Sequence, residues 1–75
     1  MKNYHYVKED DSWKLKEENS KRASKVFETK SEGLKEIPDF VKGQGGGSVK
    51  IHKENGRIQE ERTYPRKIDP RRSKG

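Results

Sequence analysis

The side chains with chemistry to offer are mostly basic. Lys14 and Lys16 alternate along one short segment, and Lys21, Arg22 and Lys25 follow closely. Arg66, Lys67, Arg71 and Arg72 crowd the last eleven residues, where five basic side chains face only Asp69. Ammonium and guanidinium groups in such numbers suit phosphate, and neutralising several phosphates gives binding a steep salt dependence. These nine residues are the candidate nucleic-acid-binding set. The net charge is +6, and residues 65–75 supply most of it. The plainer reading of Lys14 and Lys16 is a solvated strand face, where lysines keep a sheet soluble and its edges unpaired.

Other chemistries find less support. The two histidines, His5 and His52, are too few to build a metal site alone. Neither has a neighbouring acid or nucleophile in sequence that would suggest catalysis. Both read as exposed or half-packed strand residues. There is no cysteine, hence no disulfide and no thiolate ligand. Gly43-Gln44-Gly45-Gly46-Gly47 lacks a following Lys-Ser/Thr at a helix entry and precedes a strand, so it reads as a linker rather than a phosphate loop. Tyr4, Tyr6, Trp13 and Phe27 could stack on single-stranded bases. With only 24% hydrophobic residues, however, the chain needs Tyr6 and Trp13 for its core. No catalytic, cofactor or metal residue is assigned, and no cofactor is expected.

The elements that position these residues come from turn and capping signals. Asn55-Gly56 lies between Ser48–Glu54 and Arg57–Arg62, the strongest short-range hairpin signal. A two-residue type I′ loop there pairs Glu54 with Arg57, Lys53 with Ile58, His52 with Gln59, Ile51 with Glu60 and Lys50 with Glu61. Val49, Ile51 and Ile58 then share the core face. Glu9-Asp10-Asp11-Ser12 is a polar turn that pairs Lys8 with Trp13 and Tyr6 with Leu15. Residues 18–22 form a connecting loop. Ala23 to Glu28 is a short third strand with Val26 or Phe27 inward. Thr29 and Glu32 form a capping box. Leu34, Ile37 and Val41 follow at helical spacing, with Phe40 beside them. Pro38 kinks this helix or divides it. The glycine run ends it.

At this point the chain resembles a family of short prokaryotic proteins known as domain of unknown function 2188. The resemblance rests on Tyr4-His5-Tyr6-Val7, Trp13-Lys14-Leu15-Lys16 and Arg22-Ala23-Ser24-Lys25-Val26 leading into Thr29. It continues through Gln44-Gly45-Gly46, Val49-Lys50-Ile51-His52 and Asn55-Gly56-Arg57-Ile58. It spans residues 3–64. Pro38 and the extra glycine in Gly45-Gly46-Gly47 depart from it. The resemblance implies a fold and no biochemical activity.

The expected architecture is a small α+β domain over residues 1–64. Two β-hairpins and a short strand form a curved antiparallel sheet, packed against one helix in the order β-β-(β)-α-β-β. Residues 65–75 are a basic, disordered tail. The expected function is a non-enzymatic binding module whose partner is DNA or RNA. The alternative is a protein-interaction or inhibitor module of phage or mobile-element type, docking through a sheet edge as a monomer or weak homodimer. No apolar run suits a signal peptide or a membrane span, so a cytoplasmic protein without a membrane partner is expected.

Overall fold

The computed structural model describes residues 2–66. The element order is β1 (Lys2–Glu9), β2 (Ser12–Glu17), β3 (Ala23–Phe27), α1 (Lys30–Gly43), β4 (Gly47–His52) and β5 (Ile58–Tyr64). The strands form one sheet in the order β3-β2-β1-β4-β5. It is mixed, not antiparallel throughout. β1 and β4 lie side by side and run parallel, with Tyr4 against Val49 and Tyr6 against Ile51. Parallel neighbours need a long crossover. Here β2, β3 and the helix separate them in sequence, so no local turn signal announces the pairing.

The first hairpin has the expected register, Tyr6 opposite Leu15 and Lys8 opposite Trp13. Its turn residues Asp10 and Asp11 both lie in the left-handed region, at φ 52° and 65°. That double positive φ marks a type I′ turn, whose backbone twist matches the flanking strands. Aspartate tolerates this region at some cost, and glycine occupies it freely. Asp11→Gly is therefore expected to raise stability by about 0.5–1 kcal/mol, read as a higher urea midpoint.

The Asn55-Gly56 turn is of another type. Only Gly56 has a positive φ, at 91°. The Gly56 N–H donates to the Lys53 carbonyl, and the Lys53 N–H donates to the Arg57 carbonyl. This is a three-residue loop, a reverse turn closed by a left-handed glycine. Lys53 therefore faces Arg57, one residue away from the register of a two-residue loop. A bulge between Ile51 and His52 restores the expected pairs Ile51–Glu60 and Lys50–Glu61. Between turn and bulge His52 faces Ile58, not Gln59. Ile58 consequently leaves the core face and stands 55% exposed.

The helix is one continuous element through Pro38. Thr29 caps it, its Oγ1 accepting the Glu32 N–H at 3.2 Å. At the other end Gly46 N–H reaches the Val41 carbonyl and Gly45 N–H the Lys42 carbonyl, the paired bonds of a Schellman ending. Ile37 and Val41 are buried against Tyr4, Tyr6, Trp13, Leu15, Phe27, Val49 and Ile51, while Leu34 and Phe40 are partly buried beside them. Phe27 is the inward residue of β3, and Val26 is 58% exposed. No helix among the described residues is long and apolar enough to cross a membrane.

Candidate nucleic-acid interface

The helix covers one face of the sheet, and strand alternation sends the candidate cations to different places. Lys14 and Lys16 lie opposite Val7 and His5 on the uncovered face. Lys25 pairs with Leu15 and so belongs to the helix side, where its ammonium sits 5.5 Å above the Phe40 ring. Lys21 and Arg22 are exposed on the β2–β3 loop, and Arg66 is exposed just beyond β5. Lys67, Arg71 and Arg72, and the disorder expected of the tail, lie outside the described residues.

The uncovered face is electrically balanced. Lys16 Nζ is 2.8 Å from both carboxylate oxygens of Glu9, and Lys14 Nζ is 3.7 Å from one of them. Lys14 also lies 3.9 Å from Asp10. The Lys16 hydrogen bond, with help from Lys14, holds the Glu9 carboxyl below the usual carboxylate range. Lys50 stands 3.9 Å from Glu61, which also accepts the Ser48 hydroxyl. On the second hairpin the expected Lys50–Glu61 pair is present. Glu54 instead reaches across to Lys8 at 3.6 Å. Glu9 was legible as a counterion, because strand alternation puts it on the same face as Val7 and His5.

Topology gathers the remaining cations. β2 ends at Glu17, beside Tyr4 near the start of β1. β5 ends at Tyr64, beside Gly47, and Gly47 pairs with Lys2. The Lys21–Arg22 loop, which enters β3, and Arg66, which follows β5, thus leave the same end of the sheet at its opposite edges, about 19 Å apart at four strand spacings. Among the described residues none of these three side chains pairs with a carboxylate.

The aromatic candidates for base stacking are core. Tyr4, Tyr6, Trp13 and Phe27 are all buried. Tyr6 and Phe27 meet edge to face at 6.1 Å, and the Tyr6 hydroxyl lies 3.1 Å from the Lys30 carbonyl. Burial pushes the Tyr6 hydroxyl up to about 12. Burial also raises Tyr4.

The histidines do not stand alone. His5 Nδ1 lies 3.0 Å from His52 Nε2, His52 Nδ1 lies 2.8 Å from the Gly56 carbonyl oxygen, and His5 Nε2 lies 3.8 Å from Glu18. The parallel β1–β4 pairing makes this contact, so nothing local in sequence announces it. Among the described residues no group of three or more His, Cys, Asp or Glu could hold a metal ion.

A family model described as an uncharacterized protein conserved in bacteria (DUF2188) matches residues 4–64. The chain belongs to the DUF2188 family. The match runs from β1 to the last residue of β5, so the DUF2188 unit spans all five strands and the helix. The basic stretch beyond Tyr64 lies outside it. No curated protein and no solved structure matches the chain.

Proposed function

We propose that this DUF2188 protein is a non-enzymatic module that binds DNA or RNA through phosphate contacts at one end of its sheet. The observation that supports the reading is that Lys21, Arg22 and Arg66, none paired with a carboxylate among the described residues, all lie at that end of the sheet. Lys14 and Lys16 are secondary contacts, since phosphate must first displace Glu9 from them. Binding measured by fluorescence polarisation on short single- and double-stranded oligonucleotides should weaken steeply with salt. Replacing Lys21 and Arg22 together by glutamate should weaken it on all sequences alike and reduce the salt slope by about 2, one unit per lost phosphate contact. Lys14→Ala should change it much less. Absence of binding at about 50 mM salt defeats the reading.

The outer strands favour a second reading. β3 and β5 are both edges, and the exposed large apolar residues among those described, Val26 and Ile58, lie on or at the start of them. A protein partner could add a strand there. Capture of a protein by nuclease-treated chain lacking residues 65–75 would favour this reading over nucleic acid. Light scattering would show whether the added strand belongs to a second copy.

A further inference from the structure

We propose that His5 and His52 form a two-imidazole site for a divalent first-row transition cation, with Cu2+ the best fit. The Gly56 carbonyl fixes which nitrogen of His52 is available. The Gly56 carbonyl can only accept, so His52 carries its proton on Nδ1, and its Nε2 lone pair faces His5. The other nitrogen of His5, Nε2, faces the Glu18 carboxylate at 3.8 Å. With His5 protonated on Nδ1, that N–H donates to the His52 Nε2 lone pair across 3.0 Å, and a metal ion can take the place of this shared proton if the proton moves to His5 Nε2 on the Glu18 side.

The outer partners match what metal-bound histidines use. Such a ring commonly donates its second N–H to a backbone carbonyl or a carboxylate, which sets its tautomer and orientation. His52 has the carbonyl at 2.8 Å, and the exposed Glu18 carboxylate stands 3.8 Å from His5, a small side-chain movement from hydrogen bonding. With metal–nitrogen bonds of about 2.0–2.1 Å, nitrogens 3.0 Å apart subtend an angle of about 95° at the ion. That suits tetragonal Cu2+ or Ni2+ better than tetrahedral Zn2+. Both rings are half-buried on the uncovered face, so they can turn toward an ion on the solvent side, with water filling its other positions. Lys16 and Lys50 flank His5 in register, but Glu9 and Glu61 hold their ammonium groups. With Glu18 and with Lys14, which shares Glu9, three carboxylates balance three ammoniums, and the surroundings carry no net positive charge to repel a cation.

The test is titration of the full chain with Cu2+ alone, in a buffer that does not coordinate metal. Saturation at one equivalent is expected, with electron paramagnetic resonance showing two imidazole nitrogens. His5→Ala and His52→Ala should each weaken binding at least tenfold. Glu18→Gln keeps both ligands and should still weaken binding, about tenfold, by removing an outer partner. Ni2+ should bind more weakly than Cu2+. Should a variant fail to fold, amide broadening by Cu2+ in the unaltered chain decides, and it should centre on residues 4–6 and 51–53. No uptake at a twofold excess of Cu2+, uptake unchanged in both histidine variants, or broadening centred elsewhere overturns the proposal.

Discussion

Replacing Tyr6 with alanine is expected to leave the chain unfolded at 25 °C. Tyr6 is 0% exposed at the centre of the sheet, between Leu15 on β2 and Ile51 on β4. Its ring meets Trp13 at 5.2 Å and Phe27 edge to face. Its hydroxyl reaches the Thr29 and Lys30 carbonyls at the start of α1, which ties helix to sheet. Truncating a buried aromatic costs about 3–5 kcal/mol. A core of this size rarely supplies more than about 3–5 kcal/mol in total, so the loss consumes the available stability. Far-UV circular dichroism and urea titration should show no cooperative transition. A cooperative transition with a midpoint near that of the unaltered chain would mean that Tyr6 is not the central core residue.

Tyr6→Phe isolates the hydroxyl. It should cost about 0.5–1.5 kcal/mol at neutral pH, the net value of one hydrogen bond. The pH dependence has a definite sign. The folded value near 12 lies above the ordinary value of 10.0, so folding favours the protonated phenol. Its contribution is fully present below pH 10 and is lost as pH rises toward 12. The stability gap between the unaltered chain and Tyr6→Phe should therefore be widest below pH 10 and shrink by pH 12. A gap constant across that window would show that the hydroxyl ionises as easily folded as unfolded.

Gly33→Ala should destabilise the protein, although alanine is the better helix former by about 1 kcal/mol. Gly33 is buried on the face of α1 that meets the sheet. A Cβ there would stand 1.9 Å from the Tyr6 hydroxyl oxygen, 2.4 Å from Tyr6 Cζ and 2.8 Å from Phe27 Cδ2. Tyr6 and Phe27 are both buried, so neither ring has open space to move into. The helix must lift, and overpacking of this kind typically costs about 1–3 kcal/mol. A net loss of about 2 kcal/mol is expected in urea unfolding. Gly43, with nothing within 4 Å of its Cβ position, is the matched control, and Gly43→Ala should be neutral to stabilising. Removing the Tyr6 hydroxyl in the Gly33→Ala background should recover only part of the loss, since Cζ still lies too close. A stabilised Gly33→Ala chain would mean that the helix does not seat on Tyr6.

The residues that were legible in sequence are those governed by near neighbours. Thr29 capping the helix, Ile37 and Val41 facing the core and the Tyr6–Leu15 register all follow from spacing within a few residues, whereas the choice of Phe27 over Val26 as the inward residue came from the pairing of Trp13 with Phe27. Asn55-Gly56 was legible as a turn but not as a turn type. A single left-handed glycine suffices for a three-residue loop, and the extra residue carries Ile58 to the wrong face until the bulge corrects the register. Pro38 was ambiguous for a similar reason. Proline removes one helical hydrogen bond, yet buried neighbours on both sides, Ile37 and Val41, keep the helix in place.

The candidate site divides along the same line. Alternation placed Lys14 and Lys16 on the uncovered face and, read one step further, placed Glu9 with them. The separation of Lys25 from that face depended on β3 pairing with β2 so that Lys25 stands opposite Leu15. The sequence by itself determined the two hairpins, the capped helix, the aromatic core and the concentration of charge at the C-terminal end. Each is set by local dihedral preferences or by side-chain periodicity. Only the tertiary structure decided that β4 lies parallel to β1, that His5 meets His52, and that Lys21, Arg22 and Arg66 leave one end of the sheet. Those contacts join residues more than forty positions apart. They form because burying Val49 and Ile51 beside Tyr4 and Tyr6 under one helix removes the most apolar surface from water.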